Sequence, residues 1–237
     1  MTAKRLLQIG LAGAVLAGGS LFALSGLASA SVRPHSFTSN QKLLEAQLAS
    51  RVSQLGRLTA DVAASKTLTP AHAAALNLNI STATTNINAL VAKVPSDTTR
   101  TELNMDRASM FKQNRVFAVL TPQVFETIEA DAIAAQVATF QANESALQAS
   151  VNSLVGQHGY RNALNHYLAF VSSVNYALAL TNRVTTAVLA QTPADYPGDT
   201  HVFVNANEKL LRADIALAHA SYDESIIGLA AGGYTGP

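Results

Sequence analysis

No glycine stands between Gly56 and Gly156, and through that span apolar residues return every three or four positions. A chain rich in alanine, poor in tight-turning residues and apolar at that period is committed to long helices rather than to a sheet. The clearest segment follows Pro70: Leu76, Ile80, Ala83, Ile87, Leu90 and Val94 are spaced 4, 3, 4, 3, 4. This is a heptad seam of the coiled-coil type, and it requires a partner helix running nearly parallel or antiparallel to it. The preceding segment, Ser39 to Lys66, carries Leu44, Leu48, Val52, Leu55, Leu58 and Val62. Only Leu68-Thr69-Pro70 separates the two, with Thr69 as N-cap and Pro70 at the first helical position. So short a connection makes helix one the natural partner of helix two.

Pro95-Ser96-Asp97 ends the second helix, and Thr99 with Glu102 forms a capping box for the third. Leu103, Met110 and Phe117 recur on its face at seven-residue spacing, widened by Phe111 and Val116. They lead into Arg115 to Asp131, where Val116-Phe117-Ala118-Val119-Leu120 is apolar without interruption. A helix with no polar face belongs inside other helices, and Arg115 is carried in with it. Thr121 and Pro122 then either break the chain into two helices or kink one. Helix four, Pro122 to about Val155, spans roughly 50 Å at about 1.5 Å per residue. Its line of Ile133, Val137, Phe140, Leu147, Val151 and Leu154, extended by helical spacing, meets Glu144, Glu129 and Glu126. Gly156-Gln157-His158-Gly159 is a helix stop. Helix five runs from Tyr160 to Ala190 on Leu164, Leu168, Val171 and Leu178. After the irregular Thr192 to Asp199, helix six runs from Thr200 to Leu229 on Phe203, Leu210, Leu211, Leu217, Tyr222 and Ile226. The expectation is an all-α, elongated, mostly antiparallel bundle of five to six long helices over 39–229.

The first thirty residues have a different grammar. Lys4-Arg5 precedes an uncharged stretch from Leu6 to Ala30 that closes on Ala28-Ser29-Ala30, the small-x-small pattern of signal-peptide cleavage. The expected organisation is a signal peptide (1–30), a flexible leader (31–38), the bundle, and a disordered tail (230–237). Kept uncleaved, the same stretch would serve as an anchor. Cleavage removes two of the 16 basic residues and none of the 15 acidic ones, leaving 14 against 15, a formal charge of −1. Such a balance does not suit a nucleic-acid partner. An exported chain without cysteine must be held by packing, and it offers no thiolate chemistry. The expected location is secreted or at the cell surface, without a membrane span after cleavage.

The chain resembles a group of uncharacterised secreted all-helical proteins of actinobacteria. The resemblance rests on Lys66-Thr67-Leu68-Thr69, on Ile87-Asn88-Ala89-Leu90 and above all on Arg115 through Gln123. It covers about the middle half of the chain beyond residue 30 and implies export and a helical bundle; no activity comes with it.

Chemistry-bearing residues point to structure more than to catalysis. Glu126, Glu129 and Asp131 are grouped at the start of helix four, where acids complement the helix dipole and an apolar-flanked Arg115 calls for a carboxylate; ion pairing is therefore expected. The contrary reading, a metal or acid/base site at Glu126 or Glu129, requires a water-accessible cleft there. A di-iron bundle needs Glu-x-x-His on two helices, and no glutamate has histidine three positions on. The histidines, His35, His72, His158, His166, His201 and His219, show no metal-ligand spacing. His158, Tyr160, His166 and Tyr167 cluster near the start of helix five, where an axial haem ligand is conceivable. Gly-x-Ser-x-Gly, His-Glu-x-x-His, phosphate-loop and dinucleotide patterns are absent. The reading is an exported non-catalytic bundle without a cofactor, in a structural or interaction role at the bacterial envelope, with an unknown envelope partner or a second copy as its contact. The alternative is a secreted binder of a small apolar or haem-like ligand, in a dry pocket beside Phe117, Phe125 and Tyr167.

Overall fold

The structure is a computed structural model and describes residues 36–197 and 200–232. The expected signal peptide (1–30), residues 31–35 of the expected leader, Gly198-Asp199 and residues 233–237 of the expected tail lie outside the described residues, whereas Phe37-Thr38 and Ala230-Ala231, expected in leader and tail, are helical. Six α-helices follow one another: α1 Phe37–Ala64, α2 Pro70–Lys93, α3 Arg100–Lys112, α4 Thr121–Ser153, α5 Tyr160–Leu189 and α6 Thr200–Ala231. A 3-10 turn, Val94–Ser96, follows α2, and a π-helical turn, Val116–Leu120, precedes α4. The fold is an all-α bundle.

The hairpin of α1 and α2 closes the seam within the chain. Leu76, Ile80, Ala83, Ile87 and Leu90 of α2 are buried against Leu44, Leu48, Leu55, Leu58 and Val62 of α1. Gln41 at the start of α1 donates to the Val94 carbonyl at the end of α2 over 2.8 Å, which fixes the antiparallel sense. One expected core position is displaced: Val52 is partly exposed and Arg51 is buried in its place. With Arg51 included, α1 reads 44, 48, 51, 55, 58, 62, the same 4, 3, 4, 3, 4 spacing as α2. Helical phase therefore outranked side-chain polarity. The buried guanidinium lies 5.0 Å from the Phe111 ring centroid and 5.3 Å from that of Phe117, and its Nη1 donates to the Gln47 carbonyl at 3.0 Å. Two aromatic faces stabilise the cation where water cannot, and burial lowers its pKa.

Helix α4 is shared between two apolar cores. Val124 in its first turn joins Leu120 of the preceding π turn in the core of α1 to α3, whereas Ala130, Ile133, Val137, Leu147 and Val151 belong to a second core with α5 and α6. In that second core Ala206, Leu210, Ala213, Leu217 and Ala220 of α6 alternate small and large side chains, which lets neighbouring helices approach closely. Phe140 meets Phe170 edge to face at 5.9 Å. The expected stripe of α5 is rotated: Ala163, Phe170, Val174, Ala177 and Val184 are the buried line, Leu164, Val171 and Leu178 flank it, and Leu168 is exposed. The observed line offers small and aromatic side chains that fit the alanine-rich α6, so packing rather than leucine count set the inward face.

The capping box of α3 forms as expected, with Thr99 and Glu102 bonded reciprocally. Beyond α3 the expectation of a continuous face fails. The chain turns at Gln113-Asn114-Arg115, so Phe117 loses phase with the buried Leu103 and Met110 and is half-exposed over Arg51. Val116, Val119 and Leu120 remain buried, and α3 and α4 are separate helices. Pro122 has no N–H for the α-helical bond and would press on the carbonyl one turn back. The wider π turn removes that conflict, and the Thr121 hydroxyl donates to the Val116 carbonyl at 2.9 Å. Among the described residues no helix is long and apolar enough to cross a membrane.

Candidate functional site

The π turn is flanked by a strained residue. Arg115 has φ 25°, a positive value that costs a non-glycine residue about 1–3 kcal/mol and persists only where surrounding contacts hold it. Those contacts come from the α5–α6 connection. Arg115 Nε donates to the Pro193 carbonyl at 3.2 Å, and its guanidinium stacks 4.1 Å from the Tyr196 ring centroid. The connection is braced internally, because the Thr192 N–H and hydroxyl both donate to one Asp195 oxygen, at 2.8 and 2.7 Å. These bonds favour the ionised carboxyl and hold it below its ordinary range.

Between this connection, the π turn and α2 lies a cleft of about 180 Å³. Its apolar wall is Ala83, Val119, Leu120 and Pro193; the remaining lining is Thr82 and six carboxamides, Asn79, Asn86, Gln113, Asn114, Gln123 and Gln191. No charged side chain lines it. Gln123 is fully engaged: its Nε2 bonds the carbonyls of Val188 at 3.0 Å and Gln191 at 3.2 Å, and its Oε1 accepts from Asn79 at 3.1 Å. It thus binds the ends of α4 and α5 to the middle of α2. Asn114 differs. It is 3% exposed, its Nδ2 donates to the Ser109 carbonyl at 3.4 Å, and its buried Oδ1 has no hydrogen-bond partner. A buried carbonyl oxygen left unpaired costs about 1–3 kcal/mol, and a donor in the cleft would recover that cost once the Asn114 side chain turns its oxygen towards it.

The carboxylates expected to pair with Arg115 do not do so. Among the described residues Arg115 forms no ion pair; Pro193 and Tyr196 hold it instead. Asp131 is buried and turned towards α2, where its Oδ2 accepts the Thr69 N–H at 2.8 Å and its Oδ1 lies 2.8 Å from His72 Nδ1. It caps the positive end of α2 and ties α2 to α4. Glu126 is 4% exposed with Oε2 unpartnered, and its pKa is pushed up to about 8 by burial first and by Glu129 second. Glu129 is exposed as a residue, but neighbouring atoms partly desolvate its carboxyl, and that desolvation first and the Asp214 charge on α6 second raise its pKa. Neither glutamate lines the cleft. Thr121 and Pro122 stand at the π-to-α junction. Ala28 and Ala30 lie outside the described residues.

His166 Nδ1 is 2.7 Å from Asp223 Oδ1, and the Tyr167 hydroxyl donates to Glu144 at 3.4 Å, so two members of the suspected haem-ligand cluster already have protein partners. His158 borders a shallow depression with Gly159, Arg161, Asn162 and Asn165. Among the described residues no three His, Asp or Glu side chains come together as metal ligands would. Phe117, Phe125 and Tyr167 do not form one dry pocket: Phe117 is half-exposed, and the other two pack against different cores.

The cleft residues were not singled out from sequence, although a signal existed. Asn79, Thr82 and Asn86 are spaced three and four along α2, one line of side chains beside the heptad seam. Compared with known proteins, the chain matches no family profile, no curated protein and no solved structure.

Proposed function

We propose that the protein is an exported, non-catalytic binding protein of the bacterial cell envelope or its surroundings, and that the carboxamide-lined cleft beside the π turn is its binding site. The ligand is a small neutral molecule with hydroxyl or amide N–H donors. Asn114 carries this reading, as a buried acceptor without a partner beside uncharged donors and acceptors. Lack of charge in the lining disfavours ions, and the apolar wall suits one face of a ring or acyl group. The cleft exceeds the ~150 Å³ cavity that holds benzene, which sets the ligand's size at about one ring. A haem-sized or wholly apolar molecule fits this lining poorly. The basic start, uncharged stretch and Ala28-Ser29-Ala30 of the first thirty residues support export, and the resemblance to secreted actinobacterial proteins agrees with it.

The test is ¹⁵N-detected titration of the exported protein with N-acetylglucosamine and, separately, acetamide. The expected result is saturable shifts of the Asn114, Asn86 and Asn79 side-chain amide signals, lost in Asn114→Leu. Absence of saturable shifts with both probes, together with no retained small molecule in native mass spectrometry of protein purified from its source, rejects the reading. The same mass spectrum reports whether the chain begins at Ser31.

A further inference from the structure

Helix α6 is apolar on two opposite sides. Its inner line, Ala206, Ala213, Leu217 and Ala220, is buried against α4 and α5. Two positions away from each of these, and so about 200° round the helix, stand Val204, Leu211, Ile215 and Tyr222, which are 61, 62, 48 and 61% exposed. A helix with apolar side chains at heptad spacing on its solvent side has a second packing face. Single exposed leucines need no explanation, but an aligned row of four large side chains does.

The spacing suits a second copy of the same helix as the cover of the row. The intervals 204–211–215–222 are 7, 4 and 7, which read the same in either direction. A second α6 running antiparallel about an axis at Ala213 therefore places Leu211 against Ile215 of the second copy and Val204 against its Tyr222. The same two-fold register brings Glu208, which is exposed and weakly paired with Arg212 at 3.6 Å, beside His219 of the second copy, an acceptor facing a donor. Tyr222 is already oriented: its ring lies edge to face with His166 at 6.0 Å, and His166 is held by Asp223. An anchored aromatic at the edge of an apolar seam is a typical hot spot of an isologous interface. We propose that the protein is a homodimer through antiparallel α6–α6 pairing about Ala213. This interface is independent of the carboxamide cleft.

The absence of cysteine makes the register directly testable. Light scattering of the exported protein is expected to give twice the monomer mass, and Leu211→Glu with Ile215→Glu is expected to halve it with helical circular dichroism unchanged. A chain carrying Val204→Cys and Tyr222→Cys is expected to give a covalent dimer on mild oxidation, whereas either cysteine alone is not. The two positions are about 27 Å apart along one helix, so the bond cannot form within a copy. The cysteine experiment stands even if the charged variant fails to fold. A monomeric wild type, a dimer that survives the folded double-glutamate variant, a double-cysteine chain that stays uncrosslinked, or crosslinking by Val204→Cys alone each overturns the proposal. A monomer that sediments with phosphatidylglycerol vesicles does so too and assigns the row to a lipid surface.

Discussion

The two ends of α4 are held by different physics. Towards its C-terminus it lies in a core of alanine, valine, leucine and phenylalanine shared with α5 and α6, where stability comes from close packing. Towards its N-terminus polar side chains do much of the joining. Asp131 holds the start of α2, and Gln123 holds the end of α5 and accepts from Asn79. An apolar interior closes up wherever shapes allow, whereas polar ties fix particular atoms and leave space between them. The cleft, the π turn and the positive-φ arginine all occur in the polar half.

Removing a large side chain from the packed half tests this contrast most severely. Phe170→Ala should cost about 4 kcal/mol in chemical denaturation, with amide exchange accelerated through α4, α5 and α6 together. If only α5 loosens, the second core is not one cooperative unit. Glu126 sits where the two regimes meet, and its substitution should stabilise. Its folded pKa of about 8 lies above the ordinary 4.5, so the folded state keeps a proton that the unfolded state releases. Stability should fall as pH rises from about 4.5 to 8, by at most ~1.4 kcal/mol per unit. Glu126→Gln should gain up to ~3 kcal/mol at pH 7 and nothing near pH 4; a gain independent of pH would refute the buried-carboxyl explanation.

Smaller effects are expected in the polar half. Asp131→Ala removes the acceptor for the Thr69 N–H and for His72, and should cost about 2 kcal/mol, with faster exchange confined to the first turns of α2. Loss of protection throughout α5 and α6 would show that the halves are not separable. Arg115→Ala removes the contact with Tyr196 and the bond to Pro193, a loss of about 1 kcal/mol. Its readout is increased exchange in residues 191–197; unchanged exchange there would mean that the connection is held without the arginine.

Much of this architecture was legible in advance. The seam of α2, the Thr69-Pro70 turn, the Thr99–Glu102 box and the stop at Gly156–Gly159 are local, because each depends on the identities of a few neighbouring residues. The helix ends fall within a few residues of expectation for the same reason. Errors arose where one helix had two ways to face. In α6, apolar periodicity places Leu211 and Tyr222 in the core with Leu210 and Leu217, yet they point outward. In α1, polarity alone favours Val52 over Arg51 as the core residue, and the structure buries Arg51.

The sequence by itself determined that the chain forms long helices, where they start and stop, and that α1 pairs with α2, because periodicity and capping act over a turn or two. Tertiary structure alone decided which charged side chain meets which partner: Arg115 went to Tyr196, Asp131 to His72, and Glu126 was left with an unpaired oxygen. It also gathered six carboxamides from α2, the α3 end, α4 and the α5–α6 connection around one cleft. Such meetings depend on the crossing and rotation of helices far apart in the chain. Those are fixed by the total fit of side-chain volumes rather than by any residue's own preference.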